Sequence, residues 1–303
     1  MSRLAIICAA GIGDALILHI ASHHLRGAGH EVTTFTNHLD SFGSWLPGSP
    51  FQPQFSADRA REVLQGFDGV VVQHDNTPKS RAIVALRPQL AVYGLYTNYR
   101  SSKHGPLYDG YDFPFDENQT MVANLQKAMQ TLFSIDTGSN DNGLTPIPGL
   151  EFRKYPKRVV IHPTSASTDK NWPKRKFLGV GRWLERQGFE PVFAASPLRQ
   201  GWGPPPWPRL EEFASFLYES GAFVGNDSGP GHLASYLGIP YLIIGRQERQ
   251  MRLWKPGWHS GEVVTPPSWL PNIKGLRLRE EKWKYFITKN RVIKLLKNRL
   301  LCN

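Results

Sequence analysis

Short apolar runs alternate with stretches of helical periodicity along most of the chain. In the first half, runs at residues 4–9, 31–36, 69–73 and 90–96 predict strands, and helical patterns cover residues 14–26, 57–65, 79–86 and 117–133. The alternation then pauses in a loop rich in Gly, Asn, Asp and Pro at residues 136–149, which reads as an interdomain linker. It resumes with strands at 158–162, 190–195, 241–245 and 262–265 and helices at 174–187 and 210–220. Strand and helix in alternation predict an α/β chain of two doubly wound Rossmann-like domains, each a parallel sheet covered by helices on both faces. Such sheets bind ligands beyond the carboxyl ends of their strands, so the ligand crevice is expected between the two domains.

The most informative stretch runs from Ala222 to Pro240. It reads as an apolar strand, a turn carrying Asp227, Ser228 and Gly229, and a helix opening near Pro230. Proline suits a first helical position because its φ is already helical and it has no N–H to leave unpaired. The turn therefore aims backbone N–H groups and a positive helix end at one point, a site for phosphate. Gly229 and Gly231 would let a ligand approach the backbone, and His232, one turn along, adds a donor.

Composition narrows the class. At 303 residues with 40% apolar content, and with no apolar run long enough to cross a bilayer, the chain can build roughly two cores. Its apolar start leads straight into Gly11-Ile-Gly13-Asp14 and reads as a first buried strand rather than a signal peptide. Two cysteines, Cys8 and Cys302, form neither a disulfide framework nor a zinc pattern, and a cytoplasmic location is expected. The net charge of +11 is concentrated at the end, where ten Lys/Arg face only Glu280 and Glu281 between Asn272 and Asn303. Such a tail draws a polyanion, either an anionic membrane surface or a nucleic acid; the latter is disfavoured because no folded segment interleaves aromatic and basic residues.

Two further loops carry candidate chemistry. In Gly11-Ile-Gly13-Asp14 the glycines allow a sharp turn, and Asp14 is either the N-cap of the following helix or a general base whose ionised form the helix end favours. In the loop from His162 to Pro173, Thr164, Ser165, Ser167 and Thr168 supply hydroxyls and Lys170 an ammonium. That set either holds a diphosphate or is a solvated surface loop. His19 and His23 stand four apart on the first helix, but no carboxylate motif accompanies them and no metal site is expected.

Gly11-Ile-Gly13-Asp14-Ala-Leu, Lys170-Asn-Trp172-Pro173, and Asp227-Ser228-Gly229-Pro-Gly-His232-Leu-Ala with Gly238-Ile-Pro240 resemble, in order and approximate spacing, the motifs of the ADP-heptose:lipopolysaccharide heptosyltransferases, glycosyltransferase family nine. The similarity spans most of residues 3–265, and the last motif is the most specific. The resemblance implies a GT-B architecture and an inverting, metal-independent transfer without a cofactor. A nucleotide-sugar donor, ADP-heptose by family, would bind the second domain, and a lipid-linked saccharide the first.

By position, Asp14 would be the catalytic base and Lys170 would stabilise the donor phosphates. Gly11, Gly13, Thr164, Ser165, Ser167, Asp227, Ser228, Gly229 and His232 would line the substrate sites. The expected division is an acceptor domain at 1–150, a nucleotide-sugar domain at 151–282, and a basic helix at 283–303 that packs on the first domain or on a membrane surface.

One departure stands out. Between Ala195 and Leu210, where the family has a further helix and strand, the chain has a Pro- and Trp-rich shortcut, so Trp202 and Trp207 either stack on a base or plug a core edge. The alternative function is a catalytically inactive GT-B-like protein that binds a nucleotide sugar or acts as a scaffold.

Overall fold

The structure, a computed structural model, describes residues 1–137, 141–165, 167–195, 207, 209–274 and 276–299. It divides into two compact units, Met1–Thr145 and Pro146–Asn303.

The first unit opens with β1 (Arg3–Ile7), α1 (Ile12–Gly27), β2 (Glu31–Phe35), a 3₁₀ segment (Leu39–Trp45) and β3 (Phe51–Gln52). A 3₁₀ turn (Ala57–Arg59) then leads into α2 (Ala60–Leu64), followed by β4 (Gly69–Gln73), α3 (Pro78–Val84), β5 (Ala91–Tyr96), α4 (Ser101–His104), β6 (Asp112–Pro114) and α5 (Met121–Phe133). Its sheet has the order β3-β2-β1-β4-β5-β6, and the strand pairs are parallel. Side chains alternate across a strand, and Ala5 and Ile7 of β1 join Val70 and Val72 of β4 in one core layer with Leu64 of α2 and Ile83 of α3. Helix α1 packs against β1, β2 and α5 and buries Leu16, Ile17 and Ile20.

The second unit contains β7 (Tyr155–His162), a 3₁₀ turn (Thr168–Lys170), α6 (Lys174–Arg186), β8 (Glu190–Phe193), α7 (Leu210–Tyr218), β9 (Ser220–Asn226) and α8 (Gly229–Tyr236). It continues through β10 (Tyr241–Ile244), α9 (Glu248–Trp254), β11 (Glu262–Val264), α10 (Leu278–Glu281), α11 (Trp283–Phe286) and α12 (Lys289–Arg299). The sheet order is β11-β10-β9-β7-β8, again parallel throughout. Gly238, with φ of +77°, takes the left-handed conformation that ends α8 and turns the chain into β10.

The C-terminal segment is part of this second unit. Trp283, Ile287, Val292 and Leu296 are buried in one cluster with Phe177, Val180 and Leu184 of α6 and with Val264 of β11. In the segment for which the sequence predicts a basic helix packing on the first domain or on a membrane surface, these apolar side chains complete the core of the second unit. Lys284 and Arg291 of the segment, and Lys176 of α6, tie it to neighbouring backbone. Lys176 Nζ donates to the carbonyl of Ile287 at 2.8 Å, Lys284 Nζ to that of Thr168 at 3.2 Å, and Arg291 to that of Thr265 at 2.7 Å. Among the described residues, no helix is long and apolar enough to cross a membrane.

Candidate functional site

In each sheet the strand order reverses once, where the loops from two neighbouring strands diverge and leave a crevice. In the first unit this point lies between β1 and β4, and in the second between β7 and β9. The sequence-predicted residues fall at these two points.

At the β1–β4 point, a crevice of about 280 Å³ is lined by Cys8, Ala9, Ala10, Gln73, Asp75 and Lys79, among others. Asp14 is near it, with Gln73 Nε2 donating to its Oδ1 at 3.4 Å. The N-cap of α1 is Gly11, so Asp14 stands at the third helical position rather than capping as one reading of the sequence had it. Its carboxylate folds back over the turn: a Cβ at Gly11 would lie 2.7 Å from Asp14 Oδ2. Gly13 is buried in the same turn.

Cys8 is buried, and its thiol is pushed up to about 12 by burial and secondarily by the negative charge of Asp14, so it stays protonated and is no nucleophile. Lys79 is held below the ordinary lysine range by partial burial, against the opposing pull of Asp75. Its ammonium donates to Gln54 Oε1, and Gln54 in turn donates to the carbonyl of Cys8 at 2.7 Å. Gln73, Gln54 and Lys79 were absent from the sequence-derived set. Gln73 did carry a signal, a polar residue closing the run Val-Val-Val.

At the β7–β9 point two loops separated by 57 residues meet. Lys170 Nζ bonds Asp227 Oδ2 at 3.2 Å, which holds the ammonium beside the start of α8. Ser228 occupies the N-cap position of α8 but makes no side-chain cap bond; its hydroxyl donates to the carbonyl of Asn226 at 3.1 Å. The first-turn amides are therefore not claimed by the hydroxyl best placed to take them. Gly229 opens the helix. A Cβ at Gly231 would lie 2.4 Å from Ile243 Cδ1, so this glycine serves close packing of α8 on β10 rather than approach of a ligand.

His232 is buried, and burial pushes its imidazole down to about 4, with Asp227 pulling the other way. It is neutral at pH 7, and its Nδ1 is buried without a hydrogen-bond partner. Trp258 packs edge-on against Tyr236 and His232, with ring centres 5.0 and 6.4 Å away. A buried polar atom without a partner at a crevice is costly unless a ligand supplies one. His162, at the end of β7, is likewise driven down to about 4 by burial, and its Nδ1 lies 3.4 Å from Ser228 Oγ.

The hydroxyl-rich loop is mostly tied to itself. Ser165 Oγ donates to Asn171 Oδ1 at 2.8 Å, Ser167 Oγ to Asp169, and Thr164 is buried. Beneath the loop, Asn226 accepts the N–H of Trp172 at 2.9 Å and donates to the carbonyl of Pro163 at 2.7 Å. Of the two tryptophans in the shortcut, Trp202 lies outside the described residues. Trp207 packs against Phe213 and Phe216 of α7, with ring centres 5.1 and 4.5 Å away, which is the plug reading.

Two doubly wound units, each with polar and charged side chains at its switch point, define an α/β chain of GT-B type. Comparison with solved structures agrees. The fold is similar over 100% of this chain, and 98% of the other, to a glycosyl transferase family 9 structure from Veillonella parvula, with a TM-score of 0.72 and 17% identity. E. coli heptosyltransferase WaaC with ADP is similar over 97% of this chain and 99% of its own, with a TM-score of 0.69 and 17% identity. The iron-containing dodecameric glycosyltransferase TibC from enterotoxigenic E. coli covers 98% of this chain with 77% of its own, at a TM-score of 0.58 and 16% identity. No protein-family model and no curated protein matches the sequence. The fold is that of the family-nine glycosyltransferases, as the sequence motifs implied.

Proposed function

We propose that the protein is an inverting glycosyltransferase that moves a sugar, heptose by resemblance, from a nucleoside diphosphate to a lipid-linked saccharide of lipopolysaccharide-core type. The observation that carries this reading is the meeting of Lys170 with Asp227 at the start of α8, 3.2 Å apart, beside the unpartnered Nδ1 of His232. A diphosphate leaving group gathers negative charge as its bond to the sugar breaks. A positioned ammonium and helix-end amides stabilise that charge without reorganising. Neutral His232 offers a hydrogen bond to the donor.

Asp14 acts as the base. The acceptor hydroxyl oxygen attacks the anomeric carbon, its proton passes to the Asp14 carboxylate, and the bond to the diphosphate oxygen breaks with inversion. A base of this kind contributes roughly 10²–10⁴-fold. No metal enters the transfer step in this scheme, and a nucleotide-sugar donor suits a cytoplasmic location.

Thermal-shift measurement with ADP-, GDP- and UDP-sugars tests the donor site, because a ligand that binds only the native state raises the melting temperature. One base is expected to raise it in the wild type, and Lys170→Ala is expected to abolish most of the rise. No response to any nucleotide, or an undiminished one in Lys170→Ala, contradicts the reading. Tight binding without turnover of any donor would assign the chain to the inactive binding class instead.

A further inference from the structure

A second cluster of chemically capable side chains lies in the first unit, on the C-terminal half of α1. The pair flagged by sequence spacing, His19 and His23, does not form it. The buried His19 ring has Nδ1 3.2 Å from the carbonyl oxygen of Asn142 and Nε2 3.2 Å from Ser49 Oγ. The missing carboxylate comes instead from the loop after α5. His23 Nε2 lies 3.1 Å from Asp141 Oδ2, and His24 Nε2 lies 3.1 Å from the carbonyl oxygen of the same residue.

We propose that His23, His24 and Asp141 form a binding site for a borderline divalent cation of the zinc type. One potential ligand atom from each residue lies within 4.8 Å of the others. A tetrahedral ion with bonds of about 2.0–2.1 Å spaces its ligand atoms about 3.3 Å apart. The His23–Asp141 edge, 3.1 Å, is close to that length; binding draws in the other edges, now within 4.8 Å, as His24 Nε2 leaves the carbonyl oxygen of Asp141 for the ion. Two imidazoles and one carboxylate leave a fourth position for water.

The surroundings fix these groups as outer partners of a metal site do. The N–H of Gly143 donates to Asp141 Oδ1 at 3.1 Å, which turns Oδ2 toward His23. Gly143 has φ of +73°, and a Cβ there would lie 2.6 Å from His23 Nδ1, so only glycine admits the ring at this closeness. His23 is 29% exposed and Asp141 57%, so an ion can enter from solvent. Asp136 adds negative charge near His24. The bound ion would clamp the 141–143 loop to the helix whose first turn carries Asp14, and the site plays no part in the transfer chemistry.

The test uses the tag-free full chain, stripped with chelator and titrated with ZnCl₂ by calorimetry, with MgCl₂ as the contrast. One zinc ion per chain at micromolar affinity or tighter is expected, with no magnesium binding, since nitrogen donors select against it. His23→Gln and Asp141→Asn are each expected to weaken zinc at least roughly 10-fold, and His104→Gln to leave it unchanged. If either variant fails to fold, His24→Gln, which alters a half-buried ring, is expected to show the same loss. No zinc uptake by the wild type, or uptake undiminished in the variants, overturns the proposal.

Discussion

The side chain of Asn226 holds the main chain of Trp172, its Oδ1 2.9 Å from the Trp172 nitrogen, and so ties the end of β9 to the loop that carries Lys170. Asn226 is fully buried and also donates to the carbonyl of Pro163. Asn226→Ala leaves a buried N–H and a buried carbonyl unpaired, at about 1–3 kcal/mol for each group. The expected loss of stability by chemical denaturation is about 2–6 kcal/mol, with donor-induced thermal shift lost in the same variant. A change under about 0.5 kcal/mol would show that the loop is held by other means.

Acid lability should follow from the buried histidines. Burial pushes His19 down to about 3, and His162 and His232 down to about 4. Unfolded, each titrates near 6.5, so between those values the unfolded chain binds more protons than the folded one, and stability falls as pH drops. The contribution is complete above pH ~6.5 and declines toward pH ~4, at up to about 1.4 kcal/mol per histidine per pH unit. Denaturation midpoints from pH 4 to 8 check this, and His162→Gln should flatten the acid limb. A midpoint that does not change between pH 5 and 7 would contradict it.

The C-terminal helix is expected to behave as core. Leu296 is fully buried against the second unit, so Leu296→Ala should cost about 2–5 kcal/mol. The exposed Lys294 on the same helix should tolerate Lys294→Ala within about 0.5 kcal/mol. Equal tolerance of both changes would mean that the helix is not docked in solution.

Gly11→Ala tests the placement of Asp14. The added methyl meets the far end of a flexible side chain, so stability should change by less than about 1 kcal/mol. The carboxylate must move, and a displacement near 1 Å can cost up to ~10²-fold in rate. Loss of turnover with an unchanged melting temperature is expected; full turnover would show that the closeness of Gly11 to Asp14 is immaterial.

The central strands were legible because they are continuous apolar runs between turn signals, and residues 69–73 form β4 as read. Edges and short pieces were not. The helix expected from residue 117 starts at Met121, because Thr120 Oγ1 accepts the N–H of Ala123 at 3.1 Å and so caps it. The helical pattern over 57–65 is broken into a 3₁₀ turn and a short helix. Strand β6 is only three residues long and ends in proline, too little pattern to detect.

In the site, the motifs named Lys170 and Asp227, but only strand order makes the loops after β7 and β9 neighbours. Ser165 and Ser167 looked like ligand donors because composition cannot show that their hydroxyls are spent on Asn171 and Asp169. Asn226 and His162 were missed, although each is a polar residue closing an apolar strand, the signal that marks a side chain at the crevice.

The most direct measurement compares the wild type with Asp14→Asn for release of nucleoside diphosphate from the donor that raises the melting temperature, in the presence of lipid-linked core saccharides. The account expects turnover to fall by roughly 10²–10⁴-fold while the donor-induced thermal shift stays as in the wild type. Full turnover in Asp14→Asn would contradict it, since some other group would then be taking the proton.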